Sequence, residues 1–203
     1  IVSADIADRE KLAEAVKKIN PLGVFHLAVS NMKSGVAAPA EELMRTNFLG
    51  TVNLIDAANA VDYEFFIQTG SFLEYGMRDR PIKETDCGDP IELQSITKLA
   101  ATLYAGKFAK ANKKPIIIFR IFTPYGPEMQ EGRLVYEVIS RALKNESVSL
   151  TNPSVSRDFI YVEDIVDMLI EGMEKAREHP GEIFNAGSGA ATTLKEVVDD
   201  IFR

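Results

Sequence analysis

Two patterns of apolar and polar positions recur along this chain. Short, nearly unbroken apolar runs, "IVSADI", "GVFHLAV", "EFFIQTGS", "PIIIFRIF", "SVSLT" and "EIFNAG", read as strands. Between them lie segments whose apolar residues return at helical spacing. The first is "REKLAEAVKKIN", with Leu12, Ala15, Val16 and Ile19 on one face, Asp8 as its cap, and Pro21 and Gly23 ending it. Further helices are predicted over 40–60, 92–112, 131–144 and 162–177, with a last one from Thr193.

Strands alternating with helices of this length require crossover connections, which predicts an α/β fold with a parallel sheet covered on both faces. "GVFHLAV" is unbroken in its apolar character, as a buried central strand would be. The one long polar loop, "GMRDRPIKETDCGDP" at 76–90, follows a strand directly. Ligands of open α/β sheets bind beyond the carboxyl ends of the strands, so the loops after 28, 70 and 122 are where chemistry is expected.

Composition narrows the reading. The 203 residues are 46% hydrophobic and 26% charged, ordinary for a globular chain. A net charge of -7 repels nucleic acid and anionic membrane, so no partner of either kind is expected, and a substrate phosphate needs a local basic group. The single cysteine, Cys87, excludes an internal disulfide framework and fits a reducing compartment, with the cytoplasm as the default. No apolar run approaches the roughly 20 residues of a membrane span. With two histidines and no Cys/His cluster, no metal site is expected, and His26 reads as a packed strand-end residue. The chain opens at Ile1 without methionine and stops inside an amphipathic run, as a fragment would.

The expected loops carry "HLAVS", "TGSFLEYG" and "FTPYG", and the helix after the second carries Lys98. Together with "ADIAD", "NFLGT", "RDFIYVEDIV" and "FNAGSG", in this order, they resemble the extended short-chain dehydrogenase/reductase family, in particular its nucleotide-sugar epimerases, dehydratases and reductases. The resemblance covers essentially the whole chain. It implies a Rossmann-type doubly wound parallel sheet lacking its first strands, with a partial C-terminal substrate-binding lobe. The implied division is a dinucleotide-binding part, 1–124, and a mixed part, 125–203.

The roles are likewise implied by the resemblance. Asp5 and Ile6 match the pair that meets adenine, although Asp5 also reads as a helix-capping carboxylate. Leu27, Ala28 and Val29 match the strand end lying along the cofactor. Asn47, polar in an apolar helix, is expected to perform a specific hydrogen-bonding task there. Ser71 matches the catalytic hydroxyl, and Lys98 the lysine that holds the nicotinamide ribose. Phe122 and Thr123 match the loop shaping the nicotinamide and sugar pockets, and Arg157 the arginine gripping the substrate diphosphate. The implied cofactor is NAD or NADP, the substrate a nucleotide-diphosphate sugar, and the assembly a homodimer through the helices at 40–60 and 92–112.

Two departures matter. Where the family has Tyr-x-x-x-Lys, this chain has Gln94 four residues before Lys98. An amide donates and accepts hydrogen bonds but does not ionise near neutral pH, so it cannot move the hydroxyl proton. Tyr104 lies about 240° round the helix from Lys98, which leaves Tyr75 and Tyr125 as the loop phenols. The expectation is an epimerase or 4-keto reductase of reduced activity, with a catalytically inactive binding homologue as the alternative. Phe72 and Leu73 replace the Asp-Glu pair of the dehydratases, which argues against 4,6-dehydration. The other departure is at the start, where no glycine-rich pyrophosphate turn precedes the first segment.

Overall fold

A computed structural model describes residues 1–30 and 38–203. The chain runs α1 (Arg9–Ile19), β1 (Gly23–His26), α2 (Ala40–Leu43), a π-helical turn (Met44–Leu49), α3 (Gly50–Asn59), β2 (Phe65–Ser71), a 3-10 turn (Phe72–Tyr75) and α4 (Leu93–Asn112). It continues through β3 (Ile116–Ile121), β4 (Thr123–Tyr125), α5 (Leu134–Ala142), β5 (Ser156–Arg157), β6 (Phe159–Tyr161), α6 (Val162–Lys175), β7 (Ile183–Ala186), β8 (Thr192–Thr193) and α7 (Leu194–Ile201).

β1, β2, β3 and β7 form one parallel sheet in that order. Side chains alternate across it, so successive residues of one strand serve two cores. Phe66, Ile116 and Ile118 pack with Ile55, Ala105 and Ala109 of α3 and α4. Ile67, Ile117 and Phe119 pack with Ile165 and Leu169 of α6 on the opposite face. Each buried isoleucine contributes about 1.5–3 kcal/mol. The register pairs Ser71 with Ile121 and Ile121 with Ala186, so three strands end level with one another and their loops share one rim. Beside that rim, β4 pairs with β6 and β5 with β8.

The caps follow the sequence. The Asp8 side chain accepts from the Lys11 N–H at the start of α1, and Thr193 opens α7 in a capping box with Glu196.

Three expectations fail, for one reason: an extended segment becomes a strand only where another strand takes up its backbone groups. "IVSADI" has no ladder partner among the described residues and bends into a turn, with the Asp8 N–H donating to the Asp5 carbonyl at 2.9 Å. "SVSLT" is irregular as well, and the nearby ladder forms later, at β5. Among the described residues β1 is an edge strand paired only with β2, and Phe25 is 41% exposed where a buried central strand was expected. The helix at 40–60 forms but contains a π-helical turn, a feature that often marks functional positions.

Candidate active site

The site starts at the carboxyl end of β2. Ser71 is the last residue of the strand and caps the 3-10 turn behind it, its Oγ accepting from the Leu73 N–H at 3.2 Å. Glu74 completes the capping box: its Oε1 accepts from the Ser71 N–H at 2.8 Å. Its carboxylate is fully buried and also accepts from Thr102 Oγ1 at 3.1 Å and from Arg120 Nε at 2.7 Å. A Cβ on Gly70 would come within 2.6 Å of that carboxylate, so the close approach requires glycine.

Lys98 reaches the same strand from α4. Its Nζ donates to the Thr69 carbonyl at 2.5 Å, two residues before Ser71. Burial pulls its pKa down to about 8, only partly offset by the charge of Glu74. Gln94 stands one turn earlier on α4, half-buried. Its backbone carbonyl accepts from Thr97 Oγ1 at 2.8 Å.

Asn47 ties these pieces to β1. Its Oδ1 accepts from the Ser30 N–H at 2.7 Å, while its Nδ2 donates to the Ser30 carbonyl and to Thr97 Oγ1, each at 3.0 Å. The side chain is buried with its polar atoms all engaged by protein, so it acts by holding the loop after β1 against the first turns of α4. Thr51 Oγ1 donates to the Asn47 carbonyl, so its contact with His26 Nε2 at 2.8 Å requires the imidazole to donate. His26 is packed, and burial and, to a lesser degree, the charge of Lys98 push its pKa down to about 3, which keeps it neutral.

A cavity of about 840 Å³ opens at the turn after β2, with Phe72, Ser95, Phe122 and Arg157 among its lining, while Ser71, Gln94 and Lys98 are not part of that lining. Phe72 and Phe122 stack with ring centroids 5.4 Å apart, and the Arg157 guanidinium lies 5.9 Å from the Phe72 ring centre. Thr123 follows, its Oγ1 buried without a hydrogen-bond partner among the described residues. The polar loop 76–90 forms one wall and is clipped to the sheet by Asn185 at the end of β7. The Tyr75 hydroxyl donates to Asn185 Oδ1 at 2.7 Å, Asn185 Nδ2 to the Ile82 carbonyl at 3.2 Å, and the Asn185 N–H to Glu84 Oε1 at 3.0 Å. Tyr75 is thereby fully buried and engaged, its phenol raised above the ordinary range by burial, which unfits it as a relocated acid. Asp158 accepts from the Ser188 and Gly189 N–H groups at 2.8 and 2.9 Å, fixing the loop after β7.

Other sequence-predicted positions lie elsewhere on the rim. Leu27, Ala28 and Val29 form an exposed apolar shelf after β1. Asp5 is exposed, accepting from the Ala7 N–H, while Ile6 packs on Gly50 of α3 and its carbonyl accepts from Asn53 Nδ2. Glu74, Arg120, Asn185 and Asp158 were missed. For the first two a signal existed: "SFLE" is a capping-box pattern, and an arginine inside the apolar run "IIIFRIF" requires a buried anion. Among the described residues no group of three or more His, Cys, Asp or Glu is placed to hold a metal ion. No described helix is long and apolar enough to cross a membrane.

Residues 1–187 match the sequence profile of the NAD dependent epimerase/dehydratase family. The chain belongs to this family. Its fold is the Rossmann-type fold of its relatives. The chain is 29% identical to the low-salt glycan biosynthesis protein Agl12 of Haloferax volcanii, over all of the chain and 64% of the relative. It is 26% identical to a probable UDP-glucuronate 4-epimerase of Rhizobium meliloti, over 98% of the chain and again 64% of the relative. The solved complex of MoeE5 with UDP-glucose and NAD superposes with a TM-score of 0.87 at 28% identity, over 98% of this chain and 67% of that one. The chain thus spans just under two thirds of the length of these curated relatives.

Proposed function

We propose that this chain belongs to an enzyme that binds NAD or NADP and a nucleotide-diphosphate sugar, and acts on the sugar as a 4-epimerase or 4-keto reductase. The observation that carries the reading is the approach of Lys98 to the strand that ends in Ser71, directly before the turn whose Phe72 lines a cavity together with Arg157. The relatives' printed names support it, as does the solved complex with UDP-glucose and NAD.

The residues present suit a dinucleotide. An exposed apolar shelf at Leu27, Ala28 and Val29, an unpartnered Thr123 hydroxyl and a half-buried ammonium at Lys98 are the groups such a ligand would cover or engage. Lys98 would hold the ribose hydroxyls, Phe122 would flank the ring, and Asp5 and Ile6 would face the adenine. The cofactor, when bound, supplies the hydride acceptor and donor. Ser71, whose Oγ already accepts from the chain, has its proton left to donate to the sugar oxygen. Arg157 would grip the diphosphate, and Asn47 holds the turn bearing Gln94 in place. Residues 1–124 would provide the dinucleotide side, and 125–203 the sugar side.

Gln94 favours a second reading, a homologue that binds the same ligands without turnover, because no ionisable group stands at that position. The full-length protein and its Gln94→Tyr variant decide between them. On the first reading the variant gains ~10²- to 10⁴-fold in turnover, read as interconversion of nucleotide-sugar C4 epimers or as oxidation of NAD(P)H by a 4-keto nucleotide-sugar. Cofactor and nucleotide-sugar binding by both proteins with turnover by neither would reject it in favour of the second. The enzyme is expected to be cytoplasmic and to form a homodimer through the exposed apolar side chains of the helices at 40–59 and 93–112, Leu49 and Leu103 among them. Sedimentation of a monomer alone at micromolar concentration would refute the dimer.

A further inference from the structure

The charges lining the cavity are nearly all spoken for within the protein, and the balance bears on the sugar. Three cations line it: Arg78, Arg80 and Arg157. Arg80 donates from both terminal nitrogens to the Asp86 carboxylate, at 2.9 and 2.8 Å. Arg78 donates to the carbonyls of Met77 and Cys87 at 2.8 and 3.0 Å and lies 3.7 Å from the Asp89 carboxylate. Arg157 is the one lining cation, among the described residues, without a carboxylate in ion-pair range, its guanidinium donating only to the Ser156 carbonyl. Against these, the lining carries four acids, Asp79, Glu84, Glu92 and Asp158.

A nucleoside diphosphate brings negative charge that Arg157 alone is free to meet. A ligand with one more anion, such as the carboxylate of a uronic acid, would lose its hydration in a cavity that, among the described residues, holds a surplus of acids and no second free cation. Of the remaining wall, Phe72, Leu73, Met77, Ile82 and Phe122 are apolar, and Ser95, Ser156 and Asn185 offer hydrogen bonds but no positive charge.

We propose that this cavity selects nucleotide sugars whose hexose bears no carboxylate and discriminates against the glucuronate forms that several relatives carry in their names. The proposal rests on the nucleotide-sugar reading given above. The loop 76–90 supplies the discrimination, since the pairing of Arg80 with Asp86 withholds the cation that a uronate would need.

The test is calorimetric titration of the full-length protein with UDP-glucose and UDP-glucuronate, and with glucose 1-phosphate and glucuronate 1-phosphate, which require no base. The glucuronate member of each pair is expected to bind about 10-fold more weakly or worse, the order expected for a carboxylate desolvated without a counter-charge. Asp86→Asn, which frees Arg80, is expected to raise the ratio of glucuronate to glucose affinity at least ~5-fold. Equal or tighter binding of the glucuronate forms by the unaltered protein overturns the selectivity while leaving the nucleotide-sugar reading intact. Failure of all four ligands to bind overturns that reading, and the selectivity with it.

Discussion

The Glu74 carboxylate and Arg120 Nε meet at 2.7 Å with their side chains 0% and 3% exposed, directly beneath the turn that carries Ser71. The Arg120 guanidinium also lies 4.2 Å from the Tyr75 ring centre, so the pair is packed as well as charged. Removing one partner leaves the other charge buried and unmet. Glu74→Gln and Arg120→Met are each expected to destabilise the protein by ~3–5 kcal/mol in urea unfolding, and Glu74→Leu/Arg120→Met by less than the sum. Strictly additive losses would show that the two do not act as a unit.

Asn185 joins β7, the turn after β2 and the loop 76–90 through three hydrogen bonds. Asn185→Ala is expected to cost ~1–3 kcal/mol and to release the loop locally before the core unfolds. Trypsin cleavage after Arg78 or Lys83 should then speed up while protection of β2 and β3 amides from hydrogen exchange is kept. Unchanged cleavage would mean that the loop holds itself, through pairs such as Arg80 with Asp86.

Lys98 imposes a cost that depends on pH. Burial lowers its folded pKa to about 8, whereas the unfolded chain titrates near 10.5. Below about pH 8 both states keep the proton and the folded state bears the full penalty. Between pH 8 and 10.5 the folded state sheds the proton first, so the contribution to stability rises with pH. Lys98→Met is expected to stabilise the fold by ~2 kcal/mol at pH 7, with the gain fading by pH 10.5. A gain independent of pH would contradict a desolvated ammonium. On the proposed function the same variant weakens dinucleotide binding.

His26 works at acid pH. Its folded pKa of about 3 lies below the unfolded value of 6.5, so as pH falls below 6.5 the unfolded state takes up a proton that the folded state refuses. The stability linked to this residue is present above pH 6.5 and is lost progressively from there down to about 3. The slope approaches ~1.4 kcal/mol per pH unit. His26→Gln should flatten that slope between pH 6 and 4, which urea unfolding at several pH values would reveal. An identical acid profile in both proteins would rule the linkage out.

Periodicity in the sequence was enough for the cores of β2, β3 and β7, for the helices, and for the caps at Asp8 and Thr193, because each depends on residues a few positions apart. The spacing of Gln94 and Lys98, one turn apart on α4, was legible for the same reason. Tertiary structure alone decided which apolar runs became strands. "IVSADI", "SVSLT" and "GVFHLAV" look alike in sequence, but backbone pairing needs a partner strand, and among the described residues only the last has one, on a single side. The same holds for charge: Arg80, Arg78 and Arg157 are equivalent as letters, and only the fold shows two of them facing carboxylates and the third open. The hydrogen bond from Tyr75 to Asn185 spans 110 positions, a distance over which local pattern carries no information. Burial gives such long-range contacts their weight, since an unmatched charge or donor costs little in an unfolded chain and much inside a packed one.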